Sequence, residues 1–160
     1  MIKLGKLTDY AIVVLTQLSR EGDAARSAPQ LAEKTGIPEP TVAKVLKTLA
    51  REKLVESVRG AAGGYRLLRR TDELSLCDII EAVEGPIAIA SCITDAEEHC
   101  GAQSRCPSRG KWDPVNRAIR SALQDLKLSD MAGRSCGATA ERPALVQVTM
   151  PRATEEGRAK

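Results

Sequence analysis

Three thiols fall within fifteen residues in Cys92-Ile-Thr-Asp-Ala-Glu-Glu-His-Cys100-Gly-Ala-Gln-Ser-Arg-Cys106-Pro107, with seven residues between the first pair and five between the second. Gly101, Pro107 and Gly110 deny this stretch a long regular helix, so it reads as a loop whose cysteines can converge. Converging thiolates need an electropositive partner, and in a reducing compartment the usual one is a metal. Three cysteines stand one ligand short of a tetrahedral zinc site or a four-thiolate iron–sulfur cluster. The identity of the fourth ligand is therefore the main question the sequence raises.

The compartment follows from other features. The longest apolar run, Ala11 to Leu15, is far too short to span a bilayer, and the first residues lack a signal-peptide hydrophobic core. We therefore expect a cytoplasmic protein without membrane contact, in which an odd count of five cysteines suits metal ligands or redox groups better than a disulfide framework. The 160 residues allow one domain plus an appendage. With no Phe, one Trp and two Tyr, the core falls to Leu, Ile, Val and Ala, which favours helices.

Charge is unevenly distributed. Between Pro40 and Arg70 eight basic residues (Lys44, Lys47, Arg51, Lys53, Arg59, Arg66, Arg69, Arg70) face only Glu52 and Glu56. Between Leu76 and Cys106 the balance reverses, with Arg105 against Asp78, Glu81, Glu84, Asp95, Glu97 and Glu98. A basic front half followed by an acidic, cysteine-bearing segment suggests a polyanion-binding module joined to a sensing module. The simpler alternative is two oppositely charged solvated surfaces.

In chain order, Thr8 is the expected N-cap of a first helix to Arg20, with Tyr10, Ala11, Val14, Leu15 and Leu18 on its apolar face. Ser27 caps a second helix from Ala28 to Lys34, with Gln30 completing a capping box, and Thr35-Gly36 ends it. A third runs from Glu39-Pro40 to Glu52, burying Val42, Val45, Leu46 and Leu49 and presenting Thr41, Ala43, Lys44, Lys47, Thr48 and Arg51 outward. This is a helix-turn-helix arrangement, in which the second helix of the pair enters a major groove. Leu54–Val58 and Tyr65–Leu68 alternate as two strands about the glycine-rich turn Arg59–Gly64, forming a wing. Ser75 caps a fourth helix, Leu76 to Glu84, on whose apolar face Cys77 is a buried thiol. A long helix is expected from Gly110 to Lys127, with Trp112, Val115, Ile119, Leu123 and Leu126 forming a seam fit for a homodimer contact, or else for packing within the chain. Residues 132–160, including the isolated Cys136, read as a disordered tail.

Leu7-Thr-Asp-Tyr-Ala11, the wing Val58-Arg-Gly-Ala-Ala-Gly-Gly-Tyr65 and the three-cysteine loop before a long helix together resemble the IscR/NsrR-type winged-helix transcription regulators. Leu4-Gly-Lys-Leu-Thr-Asp-Tyr, Arg109-Gly-Lys-Trp112 and Leu128-Ser-Asp-Met131 look more narrowly like the members that regulate SUF cluster-assembly operons. The resemblance implies a dimer carrying an iron–sulfur cluster, 2Fe–2S or 4Fe–4S, on Cys92, Cys100 and Cys106. The His that some members place three residues after the last cysteine is replaced here by Arg109. Asp9 occupies the place from which nitric-oxide-sensing members supply a carboxylate across the dimer, and an Asp9 ligand would lean toward 4Fe–4S. His99, or an exogenous or absent ligand, is the alternative. Ala43 stands where a cluster regulator of this kind carries Glu, so we expect one operator class. Its contacts would be Thr41, Lys44, Lys47 and Thr48 in the major groove and Arg59 in the minor groove.

The expected fold is mainly α with a small β wing: a winged helix-turn-helix over residues 1–75, then the cysteine loop and dimerisation helix over 76–131. The expected function is a dimeric DNA-binding repressor sensing cluster status and controlling SUF or ISC genes. Alternatives are a nitric-oxide or redox-responsive regulator of the same fold, or a zinc or thiol-switch DNA-binding protein. An enzyme is disfavoured by a single His, by a glycine turn lacking the following Lys, and by the absence of a Cys–His pair suited to nucleophilic catalysis.

Overall fold

Local capping signals fix several helix boundaries. The computed structural model describes residues 3–60, 63–91, 93, 106–108 and 110–133. They form α1 (Lys6–Arg20), α2 (Ala28–Thr35), α3 (Glu39–Arg51), β1 (Val55–Val58), β2 (Gly64–Leu67), α4 (Leu76–Glu84), α5 (Asp113–Asp125) and α6 (Leu128–Ala132). Ser27 and Gln30 make the reciprocal capping box of α2, and Ser75 and Asp78 make that of α4. Gly36, at φ 70°, closes α2 in the left-handed conformation glycine adopts without strain. At the end of α3 the left-handed residue is Lys53, whose N–H donates to Ala50 O while Leu54 N–H donates to Leu49 O. This Schellman closure turns the chain directly into β1.

The expected start of α1 is corrected. Thr8 is not its N-cap: the helix begins at Lys6, and Gly5 is the cap residue with no capping side chain of its own. Thr8 lies inside the first turn, fully buried, with its hydroxyl donating to Glu84 Oε1 of α4. The same oxygen accepts the Gly5 N–H at 2.7 Å. A carboxylate brought in by tertiary packing thus does the work of a local cap, at the end of α1 where the helix dipole favours negative charge.

β1 and β2 pair antiparallel, with Val55 opposite Leu67 and Val58 opposite Gly64. The hairpin has a third backbone partner. Arg26 N–H donates to Tyr65 O at 2.9 Å and Tyr65 N–H to Arg26 O at 2.8 Å, fastening the wing to the α1–α2 connection. A Cβ at Gly64 (φ 153°) would come within 2.4 Å of the Arg26 carbonyl carbon, so only glycine permits this approach.

The expected long terminal helix is also corrected. α5 stops at Asp125, Leu126 is extended, and α6 follows. The break comes from long-range pairing: Leu76 N–H donates to Leu126 O at 2.9 Å and Leu128 N–H to Leu74 O at 2.8 Å. It carries Leu128 into a continuous core with Ala11, Val14, Leu15, Leu18, Leu46 and Leu49. α1 lies centrally, packing on α2, α3, α4 and α6. The expected tail lies outside the described residues apart from Ala132 and Gly133. No helix among the described residues is long and apolar enough to cross a membrane.

Candidate nucleic-acid interface and thiol site

With Val42, Val45, Leu46 and Leu49 buried, α3 can present only its opposite face to solvent. On that face Lys44 and Lys47 are exposed, and Thr41, Ala43 and Thr48 are half-buried beside them. Arg59 is exposed where β1 runs into the wing turn. Eight cations counted together in the sequence separate into two sets. Arg51 pairs with Glu52, Arg66 with Glu56, Arg69 with Asp78, and Arg70 with Asp72. Lys44, Lys47, Lys53 and Arg59 have no ion-pair partner among the described residues. An unpaired surface cation can exchange its counterions for phosphate without first breaking a salt bridge. Of these eight, the four unpaired cations lie on α3, at its end and in the wing.

Glu21, unmarked by any motif, holds this unit together. Its carboxylate accepts from Gln17 at 2.8 Å, from Arg26 at 2.8 Å and from Lys34. These contacts, Lys34 foremost, then Arg26 and Gln17, lower its pKa from 4.5 to about 2. They tie the end of α1 to α2 and to the strand-like residue that anchors the wing. Glu21 and Lys34 are thirteen residues apart, a separation no helical or strand periodicity would flag.

Of the predicted ligands, Cys106 is a half-buried free thiol and Asp9 is exposed in the first turn of α1. Cys92, Cys100, the competitor His99, Arg109 and Cys136 lie outside the described residues. Among the described residues no three of His, Cys, Asp and Glu converge on one point. Cys77 is buried on α4, and its thiol pKa is raised chiefly by that burial, then by Glu81, with Arg120 opposing. Burial of this kind disfavours the thiolate that a metal requires.

The two arms of the thiol-bearing stretch meet one helix. Upstream, buried Asn116 of α5 accepts from Ile89 N–H at 3.2 Å and donates to Ile87 O at 2.9 Å. Downstream, Cys106 leads into α5 through turns closed by Lys111 N–H to Ser108 O and Asp113 N–H to Gly110 O. The seam predicted for α5 is only partly covered: Trp112, Val115 and Leu126 are exposed, at 45%, 42% and 47%, whereas Ile119 and Leu123 are half-buried.

The chain is similar to several known proteins. Protein aau3 of Rhizobium meliloti is 34% identical over 122 residues, covering 76% of this chain and 75% of its own. The transcriptional repressor NsrR of Streptomyces coelicolor is 27% identical over 138 residues, 85% of this chain and 92% of its own. The structure of CymR, the global cysteine regulator of B. subtilis, superposes with a TM-score of 0.65 at 27% identity, covering 83% of this chain and 98% of that one. T. potens IscR gives 0.62 at 26% identity, covering 82% and 87%. These relatives establish a winged-helix DNA-binding regulator rather than an enzyme. The model of the Rrf2 family, described as iron-dependent transcriptional regulators, matches residues 4–134, and the chain belongs to that family.

Proposed function

We propose that the chain is a dimeric transcriptional repressor whose operator affinity follows the state of an iron–sulfur cluster on Cys92, Cys100 and Cys106, with Asp9 contributed across the dimer as fourth ligand. Residues 1–75 read the operator, through Thr41, Lys44, Lys47 and Thr48 in the major groove and Arg59 in the minor groove. Residues 76–131 carry the sensor and the dimer contact, and the genes controlled are those of SUF or ISC cluster assembly. One observation carries the reading: the chain before the thiol-bearing stretch is held to α5 through Asn116, the chain after it runs directly into α5, and Val115 of that helix, flanked by Trp112 and Leu126, is exposed and available to a second copy. The family's iron-dependent description and the likeness to NsrR support it. A bound cluster would crosslink the three thiols and could be lost or attacked by an oxidant or nitric oxide. A carboxylate such as Asp9 is an exchangeable iron ligand, which suits that lability.

The likeness to CymR, described as a cysteine regulator, supports a second reading in which the same thiols form a zinc or redox switch. Iron, sulfide and zinc content with a visible spectrum, on anaerobically purified wild type and Asp9→Ala, separates the two. Iron and sulfide in equal amounts, altered in Asp9→Ala, support the cluster and its fourth ligand. Iron and sulfide unaffected by the substitution remove Asp9 alone, and zinc without iron removes the cluster.

A further inference from the structure

Glu21 is the C-terminal cap residue of α1, where the helix dipole disfavours a carboxylate, and its side chain is only 9% exposed. A charge in such a place is costly unless donors surround it. Here its two oxygens serve two different bodies. Oε1 accepts from Gln17 of α1 at 2.8 Å and from Lys34 of α2, both within the helix-turn-helix. Oε2 faces Arg26, whose Nε and Nη2 both lie at 2.8 Å. Gln at this position could not reproduce the arrangement, because its amide nitrogen would face one of the two donor sets.

Arg26 passes that hold to the wing. Its side chain meets Glu21 while its backbone exchanges both hydrogen bonds with Tyr65 of β2, at 2.9 and 2.8 Å. Gly64, beside Tyr65, pairs with Val58, and Val58 is followed by Arg59. The other attachment of the hairpin is its base, where Lys53 and Leu54 close α3 and lead into β1. A hairpin held at its base alone pivots there, and the four residues of β1 give that pivot an arm of roughly 13 Å. A minor groove is only about 6 Å wide, so a tilt of the arm decides whether a guanidinium at its far end can enter. The Arg26 bridge is the second attachment, and Glu21 fixes it to α1 and α2, both of which pack on α3.

We propose that Glu21 is a positioning residue for DNA reading, fixing the wing through Arg26 and Tyr65 so that Arg59 is presented in register with α3. The inference rests on the minor-groove role of Arg59 given above. The probe is a duplex that the full-length wild type selects from a random-sequence pool, and affinity is read by fluorescence anisotropy. Glu21→Gln is introduced into wild type, Arg59→Ala and Lys44→Ala, all purified alike and checked for folding by circular dichroism. Should it not fold, Arg26→Gln replaces it under the same expectations, since it frees the carboxylate and keeps the backbone bonds to Tyr65. By charge alone, loss of a carboxylate raises affinity for DNA; misplacement of the wing lowers it. The expected result is a loss of about fivefold or more in wild type and in Lys44→Ala, shrinking to less than twofold in Arg59→Ala. Affinity at or above the wild-type value in Glu21→Gln overturns the inference. An equal loss in all three backgrounds also overturns it, because the carboxylate would then serve the fold as a whole. Either result leaves the role of Arg59 standing. Wild-type affinity in Arg59→Ala alone removes that role, and this inference with it, before Glu21 is touched.

Discussion

The Thr8 hydroxyl at the start of α1 donates to Glu84 Oε1 at the end of α4, joining residues 76 apart in the sequence. Glu84 sits at the C-terminal end of its own helix, where the dipole disfavours a carboxylate, and at the N-terminal end of α1, where it is favoured. Replacing it with Ala leaves a buried hydroxyl and the Gly5 N–H without this acceptor. We expect a loss of about 1–3 kcal/mol in urea unfolding, and a smaller one for Glu84→Gln, which keeps a neutral acceptor. Equal stability of Glu84→Ala and wild type would disprove the cap.

Glu21 sets an acid limit on the same helix. Its folded pKa of about 2 lies below the ordinary 4.5, so its stabilisation is fully present above the higher value and is lost as pH falls toward the lower. Urea midpoints should therefore decline through that window in wild type more steeply than in Glu21→Gln, which has no carboxylate to protonate. Parallel declines would show that the Lys34, Arg26 and Gln17 contacts do not persist in solution.

At Gly64 the wing tolerates no side chain. Gly64→Ala forces a Cβ onto the Arg26 carbonyl, and we expect destabilisation on the order of 2 kcal/mol or more. Because Arg26 and Tyr65 exchange both backbone bonds there, operator affinity should fall as well. An Ala variant with wild-type stability and affinity would mean the wing does not need this anchor.

The unpaired and paired cations give opposite expectations. Lys44→Ala and Arg59→Ala should each lower operator affinity and reduce the slope of log affinity against log salt by about 1. Arg70→Ala should do neither, since Asp72 already holds that guanidinium with bonds of 3.0 and 2.8 Å. Fluorescence anisotropy across a salt series checks this, and an equal effect at all three positions would sink the division.

Val115 tests the proposed dimer. It is 42% exposed in the protomer, so Val115→Arg should leave the thermal midpoint of the protomer nearly unchanged while light scattering reports a monomer. A dimer that survives the substitution would move the contact off this face.

Features written in neighbouring residues were legible in the sequence. Ser27 with Gln30 and Ser75 fix helix starts within a single turn of chain, and the apolar positions of α3 and both wing strands follow from periods of 3.6 and 2. What escaped depends on residues far apart. Thr8 looked like a cap because the carboxylate that serves α1 comes from α4. The seam from Trp112 to Leu126 looked like one helix because the pairing that ends it lies with Leu74 and Leu76. Counting cations could not reveal that Arg66 and Arg70 are already engaged. Cys106 and Asp9 stand out in the sequence by donor type alone, and among the described residues neither joins a group of three such donors.

Leu128, last of the large side chains to enter the core, carries an architectural consequence. Residues 1–75 have their own helices and wing but not their own interior, because Leu76, Ile79 and Leu128, all from later in the chain, complete the core around α1. A fragment ending at residue 75 would lose Leu76, Ile79 and Leu128 from that core together, each at about 2–5 kcal/mol by comparison with truncations of buried aliphatic side chains. Recombination between relatives would then have to carry α6 along with α1, so the first and last helices of the described fold are inherited as one piece.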